Sequence, residues 1–465
     1  MLNSQYSVTT PAKEAGVNAP EPCNKVSLVA LLSIGAAIFG LHFGASSLLW
    51  PATWGRNSGT EWLTAFGGYS FTGLLLPALG YVAVVRGGSL LVLLSPMGRR
   101  FALLFGGFVF FIVGPLFAIP RMSAAAWDAV TRALYPVFGG PSGQNAPWWA
   151  MLLFTLGFYL LIYWFICNKS RIVDKLSRFT IPALFLLEAF LIFSVVAEPV
   201  GEPVPPNYSR SPFSFGFISG YQTMDLPAAL IYSGLILSDI RARGVTERRG
   251  MMLTLFKAML IGFTIFGLAT FGELYRGSTA SGVFMDVSYA NLSVDIVAYQ
   301  WGAAGASLFN VALLLACIPA SVGLTASTAD FLQKASNGRV SYIGGCLFAL
   351  GLSCLVSLGG LEAMVTVVTP ALNFIYPPCI AIALIMALLP GQVGVLRGAC
   401  YFSLLCGALE AAHGYLELAG HPEALGGLLA LLPFSADGLT FISFVLLGGL
   451  FGKIFLNKGS AQTGA

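Results

Sequence analysis

From about residue 26 onward the chain repeats one unit, an apolar run of roughly 18–25 residues followed by a short polar break, and that run length is what a helix needs to cross about 30 Å of hydrocarbon. Twelve runs can be marked, at about 26–50, 64–85, 101–119, 148–167, 179–197, 215–238, 253–271, 304–329, 340–358, 363–389, 395–413 and 438–452. The expected fold is an all-α polytopic membrane protein with about 12 transmembrane helices. Composition agrees: 57% of residues are hydrophobic and 9% charged, where a soluble domain has about a quarter charged.

The positions of lysine and arginine test the count. With a cytoplasmic N-terminus, one side of the membrane keeps only Arg56, Arg121, Arg132, Arg210 and Arg276, and Lys257 falls inside the seventh run. All other Lys and Arg collect on the opposite side, the asymmetry that marks cytoplasmic loops. Both termini are therefore expected in the cytoplasm. A net charge of +4 carried in short clusters, with no basic face interleaved with aromatics, gives no reason to expect nucleic acid as a partner. The eight cysteines lie mostly in apolar runs without a CxxC pair, so neither a zinc site nor a disulfide frame is expected.

Residues 1–25 are polar and proline-bearing and read as a disordered cytoplasmic tail, 26–455 as a single transporter domain, and 456–465 as a C-terminal tail. Residues 272–303 are too long and too weakly apolar for a plain turn, and short external helices are expected there. No P-loop GxxxxGK[ST], no HExxH, no GxGD-type aspartate and no TVGYG filter occurs, so function must reside in the membrane without ATP hydrolysis by that route, proteolysis or potassium selectivity. A secondary transporter remains, and no enzyme activity is expected.

Two runs are interrupted in a corresponding way. "GLHFGASSLLWPATWG" (40–55) carries Gly40, Gly44 and Pro51; "SGYQTMDLPAALIY" (219–232) carries Gly220, Asp225 and Pro227. Transporters built from inverted repeats bind substrate and ion near the midplane at helices broken in matching positions of their two halves. Five spans per repeat place the breaks in helices 1 and 6, with repeat one at about 26–197, repeat two at about 215–389 and accessory helices at about 395–452.

The stretches "FGASSLLWPATWGRNSG" (43–59), "VGPLFAIPRMSAA" (113–125), "GYQTMDLPAALIYSGLILSDIRARGVT" (220–246), "SVGLTASTADFLQK" (321–334) and "PALNFIYPPCIAIAL" (370–384) resemble the branched-chain amino acid transport system II carriers of bacteria, in collinear order from about residue 27 to 455. The resemblance implies the five-plus-five inverted-repeat fold and sodium-coupled import of leucine, isoleucine and valine across the bacterial cytoplasmic membrane. The chain departs from that pattern at the first break, where the family usually reads FFGAGN. Here it reads HFGASS, with His42 in place of an apolar aromatic and Ser46 and Ser47 in place of Gly-Asn.

A zwitterion with an aliphatic tail fits these residues on chemical grounds too. Its carboxylate can meet the free N–H groups of Ala45, Ser46 and Ser47 at the positive end of the second half-helix. Its ammonium can meet carbonyls at Phe43 and around Thr223, with the Asp225 carboxylate, and Leu48, Met224 and Phe117 can wall its tail. Beside them, His42 is a candidate for contact with the substrate or a proton, and Arg121 for a gate or a substrate contact. Each has a plainer account: Asp225 can cap the outer half of helix 6, His42 can be a hydrogen-bonded core histidine, and Arg121 can snorkel from the outer end of span 3. Glu188 and Glu273 have no assigned partner.

Sodium prefers hard oxygen ligands, and the resemblance implies a cation site between the first break and helix 8. Here the ligands would be the carbonyls of Gly40 and Phe43 and the hydroxyls of Ser321 and Thr325, four apart on one helical face, although the family's threonine usually sits one place later, at Ala326. Both hydroxyls can instead bond back to their own helix. No cofactor is expected beyond this coupling ion. Three alternatives stay open: a channel, a membrane-embedded transferase using His42 and Asp225, and a proton-coupled carrier of other neutral apolar amino acids such as methionine.

Overall fold

The computed structural model describes residues 26–133, 147–167, 172–359 and 361–456. The tails expected at 1–25 and 456–465 lie outside it, apart from Leu456. The principal helices are α1 (Leu28–His42), α2 (Ala45–Ser58), α3 (Trp62–Ser70), α4 (Leu76–Gly87), α5 (Arg99–Val113), α6 (Ala118–Ala133), α7 (Trp148–Ile166), α8 (Ile181–Ala197), α9 (Pro212–Ser219), α10 (Asp225–Ala242), α11 (Arg248–Thr279), α12 (Tyr289–Ala335), α13 (Tyr342–Ser357), α14 (Leu361–Leu388), α15 (Val393–Leu418) and α16 (Phe441–Phe451). Among the described residues, seven helical stretches are long and apolar enough to cross a membrane, and a bent pair makes an eighth. Four shorter apolar helices, Leu28–His42, Ile181–Ala197, Tyr342–Ser357 and Phe441–Leu456, occupy the other expected places. The protein is an all-helical, multi-pass membrane protein.

Large apolar side chains point outward on these helices, Leu104, Leu153, Leu160, Phe193 and Leu268 among them. A surface of this kind suits hydrocarbon, as water would penalise it. Inside, small residues let helices close: Gly55 lies against the Leu274 backbone and Gly277 against that of Ala52, which clamps α2 onto α11 where any side chain would collide.

The first span is broken between α1 and α2. The Gly44 N–H turns back to the His42 carbonyl at 3.0 Å, and the Ala45 N–H meets the Met122 sulfur at 3.3 Å, so neither continues the helical ladder to the carbonyls of Gly40 and Leu41. Only Gly44 of the three expected breakers sits at this point. Gly40 is helical and packs on Ile181, and Pro51 lies within α2.

In the sixth span Gly220–Thr223 form a tight 3-10 turn, Met224 takes a left-handed conformation (φ 59°, ψ 25°), and the halves Pro212–Thr223 and Asp225–Ala242 bend by 43°. Asp225 and Pro227 lie in the first turn of α10. Proline breaks nothing there, because the first N–H groups of a helix have no intrahelical partner to lose.

A third break was not expected. The run marked at 101–119 stops at Val113, loops through Gly114, and resumes as α6. Gly114 packs on α12, where an added Cβ would stand 2.7 Å from Thr328 Oγ1. In the 272–303 segment α11 continues to Thr279, and helix resumes at Tyr289 before a kink at Gly302 (φ 61°) that leads into span 8.

Candidate functional site

The three breaks converge on one narrow cavity, lined by residues of α1, α2, α6, α10 and α12, including Leu41, His42, Ser46, Arg121, Met122, Asp225, Tyr232 and Ala320. Each wall follows from a break. α1 ends at His42 and turns its ring inward, α6 restarts late enough to carry Arg121 and Met122 into the centre, and α10 begins with Asp225.

His42 and Asp225 join the first and sixth spans. His42 Nδ1 lies 3.0 Å from Asp225 Oδ1 and Nε2 lies 3.3 Å from the Tyr81 hydroxyl, with both the histidine and the aspartate buried. The rings of Tyr81, Tyr232, Phe263 and Phe266 enclose the imidazole at centroid distances of 5.9, 5.5, 5.2 and 6.2 Å. The Asp225 carboxylate is engaged through Oδ1 with His42, and no hydrogen bond reaches it from the N–H groups of α10 among the described residues. Its other oxygen, Oδ2, has no hydrogen-bond partner among the described residues.

Arg121 is not at an interface. Expected to snorkel from the end of span 3, it is 3% exposed, because α6 carries the helix on to Ala133. Its Nη1 donates to the Gln222 carbonyl at 3.1 Å, its guanidinium lies 4.6 Å from the centre of the Phe117 ring, and Nε and Nη2 have no partner among the described residues. A buried charge with unused donors is costly unless something pairs it. The cavity thus holds one cation and one carboxylate, each with unspent hydrogen-bonding capacity.

The other expected site residues fall in different places. Ser46 and Met224 line the cavity, and so does Thr223, whose hydroxyl donates to the Gly220 carbonyl at 2.8 Å. Ser46 stands second in α2, where helical N–H groups point free. Ser47 is already engaged: its N–H donates to the Gly44 carbonyl and its hydroxyl to the His42 carbonyl, at 3.0 and 3.1 Å. Ala45 has its N–H on the Met122 sulfur, and Phe117 lies beneath Arg121.

Around the expected cation site, the Gly40 carbonyl is passed over by the Gly44 N–H, and Phe43 sits in the break itself. On α12, Thr325 Oγ1 donates to the Ser321 carbonyl at 2.7 Å, the bond back to its own helix. Ser321 Oγ is fully buried without a partner among the described residues. Tyr232 fastens this helix to α10 by donating to the Ala320 carbonyl at 3.2 Å.

Sequence reasoning missed Tyr69, Tyr81, Tyr232 and Met122. Tyr81 reaches His42, Tyr232 reaches the Ala320 carbonyl, Tyr69 stands near the Asp225 carboxylate, and Met122 lies within the quoted VGPLFAIPRMSAA. Nothing local distinguishes these tyrosines from other aromatics in apolar runs.

Comparison with known proteins identifies the family and the fold. A family model described as branched-chain amino acid transport protein matches residues 27–458. The branched-chain amino acid transport system 3 carrier protein of Pseudomonas aeruginosa is 31% identical over 422 residues, covering 89% of this chain and 92% of that protein. The branched-chain amino acid permease BrnQ of Corynebacterium glutamicum is 29% identical, covering 89% and 95%. Among solved structures, Mhp1, a nucleobase-cation-symport-1 family transporter in a closed conformation with bromovinylhydantoin bound, matches with a TM-score of 0.59 at 12% identity, covering 91% of each chain. That likeness shows a shared fold. With the family model spanning nearly its whole length, the chain belongs to the branched-chain amino acid transport proteins and is a transporter, not an enzyme.

Proposed function

We propose that the protein is a sodium-coupled importer of leucine, isoleucine and valine in the bacterial cytoplasmic membrane, with both termini in the cytoplasm and the two inverted repeats at about 26–197 and 215–389. One observation carries the reading: a single cavity, built where both broken helices meet, holds the spare oxygen of Asp225 and the spare donors of Arg121. A zwitterion satisfies both, its ammonium on Asp225 and its carboxylate between Arg121 and the Ser46 N–H at the positive end of α2. Leu41, Met224 and Leu324 offer an apolar wall for an aliphatic tail. The cavity is narrow, so loading and release require the surrounding helices to part. The freed Gly40 and Phe43 carbonyls and the Ser321 and Thr325 hydroxyls supply the hard oxygens that sodium prefers.

Purified protein in proteoliposomes tests this. Labelled leucine should accumulate under an inward sodium gradient, and unlabelled isoleucine and valine should compete with it while lysine and glutamate do not. Equal uptake with choline in place of sodium, abolished by a protonophore, would overturn the sodium assignment.

A further inference from the structure

Away from the substrate cavity, a second ionisable cluster lies where α8, α11 and α12 meet. Glu188 of α8 is 2% exposed, and Glu273 and Arg276 of α11 are each 1% exposed. Arg276 pairs with Glu273 through Nη2 and Oε2 and lies 5.4 Å from the centre of the Phe309 ring on α12. The Glu188 carboxyl lies within side-chain hydrogen-bonding reach of the Glu273 carboxyl, and the charged groups beside it are Glu273 and Arg276. No protein donor serves either Glu188 oxygen, and Arg276 Nε and Nη1 have no acceptor, among the described residues.

Charge counting makes this arrangement informative. Two carboxylates against one guanidinium leave a net negative charge enclosed by protein at membrane depth, and the carboxylate least served by donors is the one to give up its charge. Adjacent carboxylates hold one proton between them for the same reason. We propose that Glu188 and Glu273 form a resident proton-binding site, separate from the substrate cavity, in which one proton bridges the two carboxyl groups. With it, Glu188 becomes a donor to Glu273, Glu273 stays paired with Arg276, and the cluster is neutral.

The site is connected to the transport machinery through α8. Ile181, seven positions before Glu188 and so on nearly the same helical face, packs against Gly40, where a Cβ would come within 2.6 Å of its Cγ1. The same α8 face therefore touches both the proton site and the carbonyl-bearing end of α1. Loss of the proton leaves an unpaired buried charge, which disfavours this closed packing of α8, so alkaline pH shifts the protein away from the closed conformation and slows the cycle.

Two measurements test the proposal, on the full-length protein and without assuming a coupling ion or a particular amino acid. Infrared spectroscopy should show the carbonyl stretch of a protonated carboxylic acid at neutral pH, shifted in deuterium oxide and missing in Glu188→Gln. In proteoliposomes Glu188→Gln, whose amide mimics the protonated acid in shape and charge, should lose the alkaline fall in rate seen in the wild type. Should Glu188→Gln fail to fold, Glu273→Gln, which replaces the other half of the shared pair, should shift the same infrared band. A wild type without a protonated carboxyl attributable to either residue, or a Glu188→Gln protein with the wild-type pH profile, would overturn it.

Discussion

His42 closes the first half of the first span, Asp225 opens the second half of the sixth, and although 183 positions separate them in the chain their side chains meet at 3.0 Å. The two breaks are thus one structural unit. Each half-helix end leaves backbone groups unpaired, and the His42–Asp225 contact fixes these ends against each other while leaving Asp225 Oδ2 free to bind.

Asp225→Asn follows from that geometry. The amide keeps the size of the side chain and loses the charge that holds His42 and would hold a substrate ammonium. A charge-assisted bond of this kind is worth about 1.5–3 kcal/mol, so the half-saturation concentration for leucine should rise roughly 10–150-fold. Uptake kinetics measured beside immunoblots of the membrane fraction decide the matter: unchanged kinetics at normal protein levels would confine Asp225 to a structural contact.

Arg121→Lys separates charge from shape. Lysine keeps the positive charge but cannot present a planar fork, so it can serve the Gln222 carbonyl or a carboxylate but not both in the same way. Leucine uptake should fall about tenfold, the equivalent of about 1.4 kcal/mol. Inhibition of uptake by leucinamide, which lacks the carboxylate, should be as strong in the variant as in the wild type. An equal loss for both ligands would show that Arg121 acts through packing.

Gly44 is required for space and not for backbone freedom. Its φ of −100° and ψ of −171° suit any residue, but a Cβ would stand 2.6 Å from Met122 Cε and 3.3 Å from Ala320 Cβ. Gly44→Val should abolish uptake with the protein still in the membrane, because a β-branched chain fills the gap between α2 and α12. Gly44→Ala should be partly active, since the Met122 side chain can yield, and Gly44→Ala with Met122→Ala should recover further. Wild-type transport by Gly44→Val would refute the steric account.

How much of this was legible in the sequence depended on the range of the interaction. Apolar run length and the Lys/Arg asymmetry are local properties and led to the helix count, and Gly44 and the GYQTMD stretch pointed to the breaks. The points of rupture were less legible. Proline is the usual signal, yet Pro227 sits in a first helical turn and Pro51 inside α2, and the left-handed residue is Met224, which has no preference for that conformation. The break at Gly114 was hidden because GPLF reads as apolar, and with it went the burial of Arg121. Tyr81 reaches His42 across 39 residues and Tyr232 reaches Ala320 across 88, and no local pattern encodes such contacts.

The coupling ion supplies the last prediction. Sodium needs lone pairs, so the bond from Thr325 Oγ1 to the Ser321 carbonyl spends the hydroxyl's proton and leaves oxygen capacity to spare. Ser321 Oγ is better placed still, being fully buried with no partner among the described residues to compete for it. On α1 the Gly40 carbonyl is released by the turn of the Gly44 N–H to His42. Removing one oxygen from such a shell should cost about 1.5–3 kcal/mol, as for a hydrogen bond to a charged group. Ser321→Ala should therefore raise the sodium concentration for half-maximal leucine uptake by tenfold or more, and Thr325→Ala should raise it less, since that hydroxyl already has a protein contact. Both variants should reach near wild-type rates at saturating sodium, and Thr325→Ser should behave as the wild type. A sodium dependence unmoved in both alanine variants, with the leucine dependence altered instead, would relocate the cation away from α12 and leave these hydroxyls to the substrate.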